Sequence, residues 1–207
     1  MSKAVVLLTW DKLWNFNTTF LDKISKRLHT VGPNIVKISL SGDLPEYVDL
    51  INHPKNNALG KRRIIVLSNI LADHEDFIDV KLNDRYTLIG IGNTIVANLD
   101  PIILQYNKND PDYKSTKKIT WLPDDDTNIK LVVRSFGHLL SKPKLDSGDN
   151  ILDIFNKNSL TETTWLFEKS IIEMGIGSVF QAMRKNYCYV DKNNDRMIIN
   201  IVPSKNN

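Results

Sequence analysis

Lys61-Arg62-Arg63-Ile64-Ile65-Val66-Leu67 is the stretch on which the fold turns. Three bases run straight into four apolar residues, three of them β-branched. A short unbroken run of that kind, bounded by polar residues, reads as a strand buried on both faces. Ala4 to Leu8 and Tyr86 to Ile91 have the same character. Between them the period changes. From Thr18 onward Phe20, Leu21, Ile24 and Leu28 share one helical face, Asp22, Lys23, Lys26 and Arg27 share the other, and Gly32-Pro33 stops the element. Ile35 to Leu40 alternates as a second strand. Asp43, Pro45 and the Tyr47/Val48/Leu50/Ile51 cluster read as a short capped helix, and Asp100-Pro101 as the cap and first position of a helix over 101–106. Strands alternating with helices predict an α/β fold over residues 1–140, a mixed or parallel sheet flanked by helices.

The chain then turns polar. Asp124-Asp125-Asp126 reads as a turn before a strand over Lys130 to Arg134, and 141–148, with Pro143, Ser147 and Gly148, reads as a linker. Residues 149–207 predict a small α+β part of helices and a β-hairpin, either separate or packed into the same domain. Asp149 is placed to cap a short helix, and Ser159-Leu160-Thr161-Glu162 matches a capping box that would open a helix running to Met174. Gly175 would end it and Ser178 would cap another, with Val179, Phe180 and Met183 as its apolar side. Tyr187 to Val190 and Met197 to Val202 are strand-like arms around the turn-rich tip Asp191 to Arg196.

Composition bounds the function classes. The chain has 207 residues, 42% hydrophobic and 25% charged, as a globular protein has, with a formal net charge of +3. A single cysteine, Cys188, excludes a disulfide scaffold and a Cys-rich zinc site. Asparagine (22) and isoleucine (23) are abundant, and Asp outnumbers Glu by 19 to 5. Asn, Ile and Lys have A/T-rich codons, so the expected source is a phage, a virus or a low-GC bacterium. Ala4 to Leu8 is too short for a signal peptide, and Asn93, Asn98, Asp100 and Pro101 interrupt the most apolar stretch, 86–106. A cytoplasmic protein with no membrane partner is expected, in the host cytoplasm if viral.

The order helix, helix, Gly175-Ile176-Gly177-Ser178, helix, hairpin resembles a winged helix-turn-helix DNA-binding domain over residues 149–202. On that resemblance Ile151 to Phe155 is the first helix, Val179 to Asn186 the recognition helix, and Tyr187 to Val202 the wing. Family behaviour then implies a recognition helix in the major groove and a wing tip on the phosphate backbone. Ser178, Gln181, Arg184 and Lys185 would face outward; Gln and Arg are the types that pair bidentately with adenine and guanine edges. Lys192 and Arg196 would meet phosphates at the wing tip.

Other motifs give less. Gly90-Ile91-Gly92-Asn93-Thr94 sits where a dinucleotide fold binds pyrophosphate, but position 95 is isoleucine and the third glycine is missing. No cofactor is expected. His29, His53, His74 and His138 are isolated, so no metal is expected either. Asp100 with Asp112 and Lys114, or Asp73 with Asp79 and Lys81, satisfies only the letters of a nuclease core, and no catalytic residue is assigned. Cys188 reads as a buried thiol, and Trp10, Trp14 and Phe16 as core in preference to a stacking platform. The leading expectation is a non-enzymatic nucleic-acid-binding protein that contacts DNA through its C-terminal region. A structural or protein-interaction protein, with a protein partner or a homo-oligomer, is the second reading, and an enzyme on a nucleotide or phosphodiester is the third.

Overall fold

Along residues 47–51 exposed and buried residues alternate one by one, the period-two pattern of a strand with one buried face. The computed structural model describes residues 10–142, 146 and 148–204. Its one extended helix, α1 (Trp10–Ile24), comes first. There follow β1 (Lys26–Leu28), β2 (Thr30–Val31), β3 (Ile35–Ser41), β4 (Tyr47–Ile51), β5 (Lys61–Ile65), β6 (Asn69–Asp73), β7 (Arg85–Leu88), β8 (Gly92–Leu99) and β9 (Ile102–Tyr106). The second half runs β10 (Lys117–Ile119), β11 (Trp121–Pro123), β12 (Ile129–Phe136), the single-turn helix α2 (Ile151–Ile154), β13 (Leu160–Phe167), β14 (Val179–Ala182), β15 (Tyr187–Asn193) and β16 (Arg196–Ile201).

Two seven-stranded sheets form, in the orders β10-β7-β8-β9-β3-β6-β11 and β1-β14-β15-β16-β12-β13-β2. In each, the two edge strands are neighbours in sequence separated by one residue, Thr120 in the first sheet and His29 in the second. A single bent strand thus lies along both edges and closes the sheet into a barrel, six-stranded when the bent strand is counted once. Closure removes the unpaired edges that would invite other chains.

The barrels share one plan. In each, half of the bent strand runs parallel to the first strand of a meander (β10 to β7, β1 to β14). The meander's last strand runs parallel to the next (β9 to β3, β16 to β12), and that strand pairs antiparallel with β6 or β13. β6 and β13 then meet the other half of the bent strand antiparallel. Yet β1–β2 leads into the strands of the first barrel and closes the second, while β10–β11 leads into the second and closes the first. The chain is two successive units of one strand plan that have exchanged their leading strands.

Each barrel buries its own core. Ile38, Ile70, Leu88, Leu104, Ile119 and Trp121 fill the first, helped by Val48, Leu50, Ile64 and Val66 of the β4–β5 hairpin. Leu28, Phe167, Phe180, Cys188, Val190 and Ile199 fill the second. Among the described residues, the buried apolar cluster that joins the two barrels is small: Val31, Leu122 and Leu166, with Leu71 at its margin.

The expected α/β sheet flanked by helices is therefore replaced by two β-barrels. Lys61–Ile65 is a strand, but in a two-stranded hairpin with one wet face: Ile64 is buried while Ile65 is 54% exposed. Residues 47–51 are its partner strand, not a helix. Asp100-Pro101 is the turn between β8 and β9, where the Asn98 amide donates to the Pro101 carbonyl at 2.8 Å. Gly90–Gly92 is the turn between β7 and β8; Gly90 sits at φ +91, and a Cβ there would lie 2.3 Å from Leu50 Cδ2. The first helix ends at Ile24, so Leu28 belongs to a strand.

In the C-terminal part the capping-box letters are overruled by the ladder. Leu160–Phe167 pairs residue for residue with β12, from Phe136↔Leu160 to Ile129↔Phe167, and its threonines suit a pleated surface. Val179–Ala182 is likewise a strand, so the recognition helix of a winged helix is absent, and the left-handed glycine is Gly177 (φ +89). α2 is capped by Asn150, whose side chain accepts from the Leu152 N–H, and not by Asp149. The strand over 130–134 and the hairpin over 187–201 stand as expected. The expected strand at Ala4–Leu8 lies outside the described residues, as do Pro143, Lys144, Leu145 and Ser147 of the expected linker. Among the described residues no helix is long and apolar enough to cross a membrane.

Candidate nucleic-acid interface

The segment 29–32 crosses between the barrels, and its backbone donors must be met there because water is excluded. The His29 N–H donates to Glu168 Oε2 at 2.7 Å and the Gly32 N–H to Asp73 Oδ1 at 2.7 Å. Glu168 follows β13 in the second barrel; Asp73 ends β6 in the first. Each carboxylate is neutralised by a base from the opposite barrel. Arg62 on β5 pairs with Glu168, and Lys185 in the β14–β15 turn reaches Asp73 Oδ2 at 2.7 Å. Burial pulls the Lys185 ammonium below an ordinary lysine, opposed by Asp73.

His29 is wholly buried, with Nδ1 3.0 Å from the Trp121 carbonyl. A carbonyl only accepts, so Nδ1 carries the hydrogen, and Nε2 is left buried with no partner among the described residues. Desolvation, reinforced by the Arg62 charge, drives this imidazole down to about 3, so it is neutral at physiological pH.

The six residues singled out by the sequence fall into separate places. Ser178 lies in the turn before β14, and Gln181 is half-buried on β14 in register with Arg27 and Tyr187. Arg184 and Lys185 share the turn at one end of β15. Arg184 forks onto Asp76 at 2.7 and 2.8 Å, and Lys117 joins the same carboxylate at 3.0 Å. Burial pushes Asp76 up, but Arg184 and Lys117 outweigh it and hold the carboxyl below its usual range. Lys185 also donates to the Thr30 carbonyl at 2.9 Å and lies 5.0 Å from the Trp165 ring centre. Lys192 and Arg196 sit at the other end of β15, on the hairpin tip where Asn194 and Asp195 take positive φ.

That tip forms one wall of an open groove of about 800 Å³, and β12 forms the other. Period-two alternation places Lys130 and Arg134 on the same face of β12, and both line the groove with Arg196, Asn193, Asn194 and Met197. Arg134 is held by Glu162 at 2.7 Å. Among the described residues no carboxylate pairs with Lys130 or Arg196. Free cations with neighbouring amides suit a polyanion whose bases are accessible: the cations take phosphates and the amides take base edges. Lys130 and Arg134 were missed by the sequence reading; the available signal was two bases an even number of residues apart on one strand. Among the described residues no group of three or more His, Cys, Asp or Glu is placed to hold a metal ion.

The comparisons fall on the two units separately. A family model described as "tRNA synthetases class I (E and Q), anti-codon binding domain" matches residues 25–109, and a second model of the same description matches 118–191. The cytoplasmic glutamate–tRNA ligase of Saccharomyces cerevisiae is 30% identical over 197 residues, covering 92% of this chain and 28% of that protein. The cytoplasmic enzyme of Arabidopsis thaliana is 29% identical over 202 residues, with the same two coverages. The probable cytoplasmic enzyme of Encephalitozoon cuniculi is 28% identical over 211 residues, covering 98% and 32%. The chain thus spans under a third of the length of these relatives. These matches overturn the resemblance to a winged helix and the expectation of a viral DNA-binding protein. Across both of its units, the family that the chain matches is the anticodon-binding domain of the class I glutamate and glutamine tRNA synthetases.

Proposed function

We propose that this chain binds tRNA by its anticodon arm, and that it serves in the cytoplasm as the tRNA-recognising part of a glutamate–tRNA ligase. The observation that carries this reading is the pair of family matches, which begin at the leading strand of each unit. The groove supports it chemically. An anticodon loop is single-stranded, with unstacked bases and a phosphate backbone, and RNA of that kind is read by amides and cations acting together. Lys130 and Arg196, with Lys192 on the hairpin tip beside the groove, would hold phosphates, while Asn193 and Asn194 would reach base edges.

The test is a titration of labelled tRNA transcripts, an isolated anticodon stem-loop and duplex DNA at several salt concentrations. Saturable binding is expected for glutamate tRNA and its stem-loop, tighter than for a tRNA with another anticodon and than for duplex DNA. Lys130→Ala with Arg196→Ala should weaken it and make the salt dependence shallower by about 0.7 to 0.9 per lost phosphate contact. Duplex DNA binding as tightly as glutamate tRNA, or no saturable tRNA binding, overturns the reading.

A further inference from the structure

The groove leaves unexplained the most heavily engaged bases of the second barrel, Arg184 and Lys185. We propose that these are positioning residues: without touching RNA themselves, they hold the two barrels in one fixed orientation, so that the groove of the second barrel and the first barrel, both within the matched anticodon-binding units, meet one RNA together. The proposal rests on the tRNA-binding reading above.

Three observations carry it. First, both side chains cross the junction and end on carboxylates of the other barrel, Arg184 on Asp76 and Lys185 on Asp73. The Lys185 side chain is only 19% exposed, with its ammonium shared among Asp73 and the Thr30 carbonyl. An ammonium so occupied has little left for a phosphate. Secondly, Arg184 adopts φ +67, a conformation uncommon for a residue with a Cβ, within a closed turn where Ala182 N–H meets the Asn186 carbonyl at 2.9 Å. The backbone there is committed to aiming these two side chains at the first barrel. Thirdly, the apolar contact between the barrels is small, four residues against the full core that each barrel owns. Apolar contact is non-directional, whereas bidentate guanidinium–carboxylate pairs fix an angle as well as a distance. The exchanged leading strands keep the barrels from separating, and the ion pairs at the junction's flank set how they are turned.

The sign of the acidic variants separates positioning from contact. In the full chain, Arg184→Met with Lys185→Met, and separately Asp73→Asn with Asp76→Asn, should each weaken binding of a glutamate tRNA transcript by tenfold or more, with the salt slope of the wild type. If the two bases touched phosphates, removing the acids would free both of them, and Lys117 as well, and tighten binding. Removing the bases would then also reduce the salt slope by about 0.7 to 0.9 per contact. Either result overturns the proposal. Should the double base variant fail to fold, Arg184→Met alone, at the 28%-exposed end of the clamp, serves in its place. A second readout needs no RNA. Spin labels on Lys81→Cys and Lys157→Cys, one exposed site on each barrel, should give a narrow inter-barrel distance distribution that broadens in both sets of variants. An unchanged distribution overturns the clamp. A broadened one in a chain that binds no tRNA upholds the clamp and overturns the proposed function instead.

Discussion

Among the described residues, Arg62 and Glu168 form the most deeply buried charge pair, with side-chain exposures of 8% and 4%. Removing one partner should therefore cost far more than removing both. Glu168→Gln keeps the shape and leaves an amide oxygen for the His29 N–H, which donates to Oε2 at 2.7 Å in the native chain. What it removes is the counter-charge. The Arg62 guanidinium then has only neutral acceptors, Asn52 Oδ1 at 3.1 Å and the Ile51 carbonyl at 3.4 Å. Stranding one charge of a buried pair costs about 3–5 kcal/mol, and these neutral acceptors place the figure at about 3. Arg62→Met strands the Glu168 carboxylate with two donors, the His29 N–H and the Ser170 hydroxyl, for a loss also of about 3 kcal/mol. The double variant buries no charge and should lie within about 1 kcal/mol of wild type, so the two single losses, about 6 kcal/mol together, exceed the double loss by about 5 kcal/mol. Urea unfolding measures it, followed by tryptophan fluorescence and far-UV circular dichroism, whose coincidence checks that the transition is two-state. With an m-value of about 2 kcal/mol/M, each single variant lowers the midpoint by about 1.5 M and the double by about 0.5 M or less. Single losses below about 1 kcal/mol that simply add in the double would refute the argument, because that is how a solvent-screened surface pair behaves.

Further outcomes follow from other buried and exposed groups. His29 stays neutral in the native chain down to about pH 3, while the unfolded chain protonates it below about 6.5. Its contribution is thus full above pH 6.5 and is lost as pH falls towards 3, by about 2 kcal/mol at pH 5. His29→Asn, which keeps an N–H for the Trp121 carbonyl, should flatten the urea midpoint between pH 6.5 and 4, and a profile parallel to wild type would count against this. Burial pushes the Cys188 thiol up to about 12, so a thiol reagent at pH 8 should label the native chain only as fast as it unfolds; immediate labelling would contradict the buried site. On α1, Phe16 and Phe20 are 75% and 55% exposed whereas Leu21 is 6% exposed. Phe16→Ser with Phe20→Ser should leave the melting temperature within about 2 °C, and Leu21→Ala should cost about 2–3 kcal/mol in the same melts; the reverse order would mean that α1 packs by its other face.

What was legible in the sequence was period, and what was not was partnership. Ile35–Ser41, Ile129–Phe136 and the hairpin over 187–201 could be read because alternation and turn residues are local signals. The alternation of Val48 and Leu50 about Asp49 was equally local, but Asp43 and Pro45 looked like a helix start and the period lost to the cap. Closure of the barrels leaves no such trace: Lys26 pairs with Phe180, and nothing near either residue says so. The same holds for the bases. Arg184 and Lys185 have the right chemistry for nucleic acid, yet their partners lie 108 and 112 residues away in the chain, and those partners occupy them. On the strands of the groove the deciding residue is the one across the ladder. Arg134 faces Glu162 in register and is held by it, whereas Lys130 faces Leu166 and Arg196 faces Asn193. Charges directly opposite on one face satisfy each other first, but a neutral neighbour across the ladder does not by itself free a base: Arg62 faces Leu50 and Lys117 faces Tyr86, and carboxylates of other elements take both. The bases that tie the protein together are told from those left to meet a ligand by the ladder and by the turns that reach it from elsewhere in the chain, and neither is known before the register is.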